Sequence, residues 1–586
     1  MAKWLVYSKR ADFEKIAETF SISPMMARIL RNRDLVSEEE IRRFLTGTVD
    51  DLYPTALLKD LQESVLCIQE KIRQKKKIRI IGDYDVDGIC ASYILKTGLR
   101  ICGGEVDVAI PHRIRDGYGI NEALVLEAYE AGIDTIVTCD NGISAFDQIN
   151  YAKKLGMTVI VTDHHEVPYE DSEQGRTYFL PPADRVIDPK QEACEYPFKS
   201  ICGAVVAYKL VEACFLLFQI EKNKLDELLE FACIATVGDV MPLLDENRIL
   251  VKEGLTKIEK SKNVGLKALL RVTGLEGKKI SPYHLGFIIC PCLNATGRLD
   301  TALRALSLFE EKEETKAITL AGELKSLNDS RKEMTQKGVD AACRILEEGK
   351  MEKDKVLVIY LPDCHESLAG IIAGRIRERY GKPTFVLTDA EDGVKGSGRS
   401  IEAYSMYEAM VEHRDLFLKF GGHKLAAGLS LEKNKIEEFR KCMNESANLC
   451  EDDFQEKIRI DIPMPLSYAT MDFIKELELL EPYGVANPRP LFAQRDIYFV
   501  QAKVMGQNKN VIKIKMEDEE GNDYEAISFS DSDRFKQRIA NKHGEEQAIA
   551  LLQGQKVRLR HSVVYSPEIN EFRGNQSLQY VIKDYE

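Results

Sequence analysis

The chain has 586 residues, 44% of them apolar and 30% charged, and a formal net charge of −14. That balance excludes wholesale disorder and, at roughly 100–200 residues per domain, suggests three to five domains. No apolar run reaches the roughly 18 residues of a membrane span, and the opening MAKWLVYSKRADF lacks the apolar core of a signal peptide, so a cytoplasmic protein with no membrane partner is expected.

In chain order, SPMMARILRNRD and SEEEIRRFL read as short helices, each opened by a Ser N-cap; Ser37 with Glu40 forms a capping box. From about 56 to 300, continuous apolar runs (KIRII, TIVTC, TVIVT) alternate with helical stretches such as NEALVLEAYEAG, the pattern of a parallel sheet buried on both faces. Residues 301–347 contain no Pro and predict long helices. A second α/β pattern begins at KVLVIYL and PTFVLTD. The last hundred-odd residues are β-rich and suggest a small barrel. The expected segments are 1–55 (helical), 56–300 (α/β), 301–347 (helical connector), 348–460 (second α/β) and 461–586 (barrel). The fourteen cysteines are scattered and form no CxxC pair, which argues against zinc knuckles and a disulfide framework.

The chemistry concentrates where apolar runs end. KIRIIG leads into Asp83-Tyr-Asp85-Val-Asp87-Gly88, TIVTC into Asp140-Asn141-Gly142, and TVIVT into Asp163-His164-His165; a fourth run, FACIATV, leads into Gly238-Asp239. Parallel sheets bind ligands at the carboxyl ends of their strands. Carboxylates gathered there repel one another unless a cation joins them. Mixed carboxylate and imidazole ligands suit Mn²⁺, Zn²⁺, Fe²⁺ or Mg²⁺, and a pair of ions would serve phosphoester hydrolysis. Taken singly, each Asp is more often a helix N-cap, and DxDxDG lacks the Glu that a calcium loop needs at its twelfth position. No P-loop, GxGxxG or GxSxG element supports an NTPase, a dinucleotide enzyme or a serine hydrolase.

The order DYDVDG, DNG, DHH and GDV resembles the DHH phosphoesterase superfamily. IPHRIRDGYGIN (110–121), LNATGRLDTA (293–302), HESLAGIIAGRI (365–376), KGSGRSI (395–401), GGHKLAAGLSL (421–431) and LEPYGVANPRPLF (480–492) narrow the resemblance to its single-stranded-DNA-specific exonucleases. The resemblance implies a DHH domain over 56–300, a DHH-associated domain over 348–460 and an oligonucleotide-binding (OB) barrel over 461–586. It implies 5′→3′ hydrolysis of single-stranded DNA to mononucleotides with Mn²⁺ or Mg²⁺, in repair and recombination. By motif, Asp83, Asp85, Asp140, His164 and Asp239 would ligate two ions. Asp87 and Asp163 would complete the site or support its ligands from behind, and His165 would meet the scissile phosphate. Arg298, Ser397 and Arg399 would hold the 5′ phosphate, with His423 facing the cleft; Gly396 and Gly398 would let backbone N–H groups approach it, or else mark tight turns. Arg113 and Tyr118 could line the strand's path, Tyr118 alternatively packing in the core. Expected partners are single-strand binding protein and a RecQ-type helicase, the enzyme itself being a monomer. The alternatives are a DHH phosphodiesterase of short oligonucleotides or cyclic dinucleotides, and an inert strand-binding scaffold.

Two features depart from the pattern. Cys290-Pro291-Cys292 stands where the family usually carries Gly-Pro-Arg, which removes a basic residue near the phosphate pocket. Residues 486–586 hold fifteen Lys+Arg and fifteen Asp+Glu. Strand binding there would need a local stripe, such as Lys513, Lys515, Arg558 and Arg560 with Phe529 and Tyr565, against the alternative of solvent-facing charges on strands. The basic run KIRQKKKIR (71–79) reads as a solvated helix end.

Overall fold

The computed structural model describes residues 2–172, 175–349, 351–390, 393–506, 509–572 and 574–586. The chain forms two compact units, one of Thr48–Phe454 and one that joins the N-terminal stretch up to Gly47 to Gln455–Glu586.

In the larger unit, five parallel strands stand in the order Glu105–Ala109, Lys77–Ile81, Thr135–Cys139, Thr158–Thr162, Arg185–Ile187. Ile78, Ile80, Val137 and Ile160 are fully buried, as a sheet covered on both faces requires. The apolar run FACIATV is a buried helix, Leu229–Gly238, rather than a strand; an apolar run of that length fits either when both are fully buried. The basic run at 71–79 splits between the end of helix Leu61–Arg73 and strand Lys77–Ile81. Four of its charges form ion pairs, among them Lys71 2.5 Å from Asp134 and Arg79 2.7 Å from Asp107.

A helix of 35 residues, Glu314–Glu348, leads to a second sheet in the order Lys419–His423, Ala426–Leu431, Gly393–Arg399, Thr384–Ala390, Leu357–Tyr360. Only the last pair is parallel, joined across helix Ala369–Tyr380. One face packs on Phe439 and Met443, the other on Ile372, Ile376 and Leu346.

The smaller unit holds a closed five-stranded barrel. Phe492–Met505 pairs with both Val511–Glu517 and Leu559–Phe572, while Asp523–Ser528 meets Asn575–Tyr585 in parallel and closes the ring. Register shifts at Gln494/Ile497 and Phe499/Gln501 let the first strand curl between two neighbours. Helices Pro24–Asn32 and Glu38–Thr46 carry the expected Ser caps, and the Ser37/Glu40 capping box is formed. A strand the helical reading missed, Lys3–Val6, pairs in parallel with Lys457–Ile460. Among the described residues no helix is long and apolar enough to cross a membrane.

Candidate active site and metal centre

The chain leaves Lys77–Ile81 for one neighbouring strand and returns to the other side with Thr135–Cys139, so a crevice opens at the carboxyl ends between them. Asp83 and Asp140 stand at its two walls, both buried. Asp85 is a helix N-cap after all, with one carboxylate oxygen accepting from the N–H groups of Asp87 (3.0 Å) and Gly88 (3.2 Å). Asp87 lies in the first turn of that helix, Val86–Ile101, and accepts from the N–H groups of Gly203 and Ala204, 2.7 Å each, at the start of helix Gly203–Phe218. A side chain at 203 is forbidden, since its Cβ would stand 2.7 Å from that of Asp140. Asp140 itself holds φ 61° and Val240, after Asp239, holds φ 60°. Such backbone is costly for residues other than glycine and gathers at functional sites.

Asn141 stitches the strand ends together by donating to the carbonyls of Ile81 (3.0 Å) and Cys139 (2.9 Å). His164 Nε2 lies 3.0 Å from Asp140, 3.6 Å from Asp87 and 3.8 Å from Asp239. Asp163 takes no part in that fan. It accepts from the N–H groups of Ile143 (2.9 Å) and His164 (2.7 Å), which ties down the backbone of the motif, and from His165 Nδ1 (2.8 Å), which orients that imidazole.

Burial, then Asp85, pushes the Asp83 carboxyl well above its ordinary range; burial and the neighbouring acids do the same to Asp140 and lift Asp239 to about 8. Three overlapping groups have ligand atoms within 4.8 Å of one another: Asp83, Asp85 and Asp140; Asp87, His164 and Asp239; and Asp140, His164 and His165. Asp140 is shared, as a bridge between two ions would be. One Asp83 oxygen and His164 Nδ1 are buried without a hydrogen-bond partner. This oxygen-rich set with an imidazole fits divalent Mn²⁺ or Mg²⁺. Of the two roles expected for Asp87, completing the site or supporting its ligands, both have a footing: it belongs to one of these groups, and its two oxygens also accept from the Gly203 and Ala204 N–H groups.

A second cluster carries the opposite charge. Asn294 accepts from the Val86 N–H (2.8 Å), and one helical turn later Arg298 donates to the carbonyl of Ser367 (2.7 Å). Burial, then Arg113 and Arg331, lowers the Arg298 guanidinium to about 10, and burial with Arg113 and Arg377 lowers Arg399. Among the described residues Arg113, Arg298, Arg331 and Arg399 make no ion pair. Arg113 lies 4.7 Å over the Tyr84 ring. Beside them is a cavity of about 450 Å³ bounded by Tyr84, Arg113, Glu366, Lys395, Ser397 and Lys419, among others.

Ser397 and Arg399 therefore meet Arg298 and Arg113 as expected, but the glycines between them act differently from either reading. KGSGR is a mid-sheet strand, neither a turn nor a phosphate loop, and its N–H groups face neighbouring strands. Alternation sends Lys395, Ser397 and Arg399 to one face. Gly396 and Gly398 face the other, where a Cβ would come within 2.4 Å of Leu387 and 2.6 Å of Phe385. His423 ends the exposed edge strand and is not among the residues lining the cavity, whereas Lys419, Phe420 and Gly421 of that strand are. Tyr118 is half exposed rather than core; its hydroxyl donates to the Asp140 carbonyl (2.6 Å), and its ring meets His165 edge-on. Cys290 and Cys292 are buried, Cys290 donating to the Ile234 carbonyl and Cys292 accepting from Asn328. Reading by composition missed Tyr84, Lys395, Lys419 and Asp188, the last lifted to about 8 by burial and Asp163 at the fifth strand end. The period of two through 395, 397 and 399 was the available signal for Lys395.

In the barrel, the proposed stripe is already neutralised. Lys513 pairs with Glu525 (2.9 Å), Lys515 with Asp523 (2.9 Å), Arg558 with Glu517 (3.1 Å) and Arg560 with Asp496 (2.5 Å). Tyr565 is buried, its hydroxyl bonded to the Met464 carbonyl; only Phe529 is exposed.

Comparison with known proteins bears on the whole chain. Family models match at residues 77–236 (DHH family, N-terminal domain), 353–448 (DHHA1 domain) and 460–584 (RecJ OB domain). The single-stranded-DNA-specific exonuclease RecJ of Escherichia coli (strain K12) is 33% identical over 99% of both chains. That of Bacillus subtilis (strain 168) is 33% identical over 98% of this chain and 70% of its own. The crystal structure of RecJ from Thermus thermophilus in complex with Mn²⁺ superposes with a TM-score of 0.81 at 27% identity, covering all of this chain and 79% of that one. The same protein in complex with Mg²⁺ gives 0.75 at 26%, over 100% and 78%. With all three domain types present in order and relatives aligned from end to end, the chain belongs to the RecJ family of DHH-type exonucleases.

Proposed function

We propose that the protein is a divalent-metal-dependent exonuclease that hydrolyses single-stranded DNA from its 5′ end to mononucleotides. The observation that carries this reading is one helix. Asn294 supports the acid motif at Val86, and Arg298, one turn on, joins the unpaired arginines. An anion pocket and a metal centre on one rigid element have a fixed separation, so a terminal phosphate bound in the first would set which bond lies in the second.

Asp83, Asp85, Asp140, His164, Asp239 and Asp87 would hold two Mn²⁺ or Mg²⁺ ions. When bound, such ions lower the pKa of water and offset charge on a phosphoryl group. The chain's own residues do the rest. Asp163 fixes His165 through Nδ1, and the Tyr118 hydroxyl lies 3.3 Å from its Nε2, the nitrogen that would turn to the scissile phosphate. Arg298 and Arg399 offer planar forks to the terminal phosphate, and Ser397 a hydroxyl. Arg113 and Tyr84 offer a cation and a ring face beside the terminal base.

The wider reading is a cytoplasmic monomer in repair and recombination, working on strands exposed by a RecQ-type helicase beside single-strand binding protein. The test is a time course on a single-stranded oligonucleotide labelled at either end, with Mn²⁺ or EDTA. Release of the 5′ label as a mononucleotide while the 3′-labelled strand shortens stepwise is expected. Intact long strands with consumption of dinucleotides would favour a short-oligonucleotide phosphodiesterase, and binding without cutting a scaffold.

A further inference from the structure

The helix that ties the two halves of the site together continues away from them, and its far end carries two exposed aromatic rings. Helix Cys290–Leu299 is preceded by a wide π turn, Leu285–Ile289, and a short turn, Pro282–His284. Along this element, Gly297 lies against the Tyr84 backbone and Asn294 bonds Val86. Cys290 packs beside Gly238, with its Sγ 3.0 Å from where a Cβ there would stand. Gly286 packs beside Val237. The order along the axis is thus anion pocket, acid motif, Asp239, and then Tyr283 and Phe287.

These two rings stack on each other, with centroids 4.9 Å apart and planes at 28°, yet they are 63% and 65% exposed. The exposed Lys278 and Lys279 stand just before them in the chain. Paired aromatic faces beside lysines are the usual means of holding single strands without reading their sequence.

We propose that Tyr283 and Phe287 form a base-stacking platform for the strand downstream of the cut. This rests on the exonuclease reading above and adds where the uncut strand is gripped. Arg298 and Phe287 are eleven residues apart, about 16 Å along a helix at about 1.5 Å per residue. A strand at a stacked rise of about 3.4 Å per nucleotide covers that in about five nucleotides. The platform would thus engage bases near the fifth position and hold the strand between successive cuts.

The test uses full-length protein carrying Asp140→Asn to prevent cleavage, Mn²⁺, and 5′-phosphorylated 12-mers with 2-aminopurine at successive positions. Fluorescence quenching should peak near the fifth nucleotide. Tyr283→Leu/Phe287→Leu should abolish that peak and weaken binding about tenfold, and Tyr283→Trp/Phe287→Trp should restore both. Because the Leu pair keeps apolar volume and both sites are on the surface, a matching melting temperature will exclude misfolding; Phe287→Ser alone serves as a second variant if the Leu pair misfolds, and should reduce the peak, whereas an unchanged peak there would overturn the platform. A profile and affinity identical in wild-type and Leu backgrounds would overturn the platform. Absence of 5′-directed cutting by the protein with native Asp140 would instead overturn the exonuclease reading, so the two failures are distinct.

Discussion

The cleft of the larger unit and the strands of the barrel carry similar kinds of charged side chain in opposite states. Lys513, Lys515, Arg558 and Arg560 each have a carboxylate within 3.1 Å. In the cleft, five carboxylates fall in the candidate metal-holding groups with His164, and among the described residues Arg113, Arg298, Arg331 and Arg399 stand near one another without an ion pair. Exposed ion pairs on a strand cost little to keep and contribute little. Uncompensated charge in a buried crevice is expensive, and it persists where a ligand completes it. The location of unfinished electrostatics, rather than the count of basic residues, marks where a polyanion and its metals belong.

The most severe way to break this contrast is to remove the shared acid. Asp140→Asn keeps shape and a hydrogen-bond acceptor for His164 but withdraws the charge shared by two of the three candidate ligand groups. Cleavage of a 5′-phosphorylated strand in Mn²⁺ should fall on the order of 10³-fold. Mn²⁺ should also lose most of its ability to raise the melting temperature, because ligand stabilisation follows occupancy. Retained activity within tenfold would mean the acid cluster is structural.

The opposite charges come next. Arg298→Ala and Arg399→Ala each remove a fork from the anion pocket without touching the acids. With a 5′-phosphorylated oligonucleotide KM should rise about 10- to 100-fold, the range of a hydrogen bond to a charged group. With a 5′-hydroxyl oligonucleotide the rise should be several-fold smaller. Equal losses on both substrates would detach the arginines from the terminal phosphate.

How much of this was readable beforehand differs between the two clusters. Asp83, Asp140 and His164 were legible because apolar runs ending in acids locate a parallel sheet's active edge, and local spacing was enough. Asp239 was found by the same rule although its run is a helix, since the carboxyl end of a buried helix can also face the crevice. The arginine cluster draws on Arg113, Arg298, Arg331 and Arg399, nearly 290 positions from first to last. No local pattern encodes that convergence, and only resemblance pointed to three of its members. The role of Gly396 and Gly398 stayed hidden because GSG looks the same in a turn and in a strand; only Phe385 and Leu387 on the far face decide it. The strand Lys3–Val6 was missed because four residues carry too little periodicity, and its partner lies more than 450 positions away.

A buried acid outside the cleft sharpens what completes a charge. Glu230 is buried on helix Leu229–Gly238, accepts from Ser261 (2.9 Å), and is lifted to about 8 by burial and Glu227, with Ser261 and Lys257 opposing. Its folded pKa exceeds the ordinary 4.5, so the folded state binds the extra proton between those values. Stability should therefore fall as pH rises from about 4.5 through about 8, by at most about 1.4 kcal/mol per pH unit. Glu230→Gln, which mimics the protonated form, should melt with wild type near pH 5 and above it at pH 9. Mn²⁺ should leave that difference unchanged, since a proton and not a metal neutralises this site. A mutant gain that Mn²⁺ erases would join Glu230 to the metal centre.

The smallest effect is expected in the barrel stripe, where the sequence left strand contacts and solvent-facing charges as open alternatives. Lys513→Ala and Lys515→Ala each free one exposed acid, Glu525 or Asp523, on strands whose packing is otherwise untouched. Each should change stability by less than about 1 kcal/mol and leave kcat/KM on a long strand within about twofold. Phe529, exposed and, among the described residues, unpaired with another ring, is the internal comparison, because a stacking face is not neutralised by neighbouring charge. If Phe529→Ala weakens binding of a 20-mer while the lysine variants do not, the barrel grips bases rather than phosphates. If the lysine variants cost tenfold and flatten the dependence of binding on salt, the ion pairs open on contact with DNA. Charge compensation in the free protein would then no longer separate the barrel from the cleft.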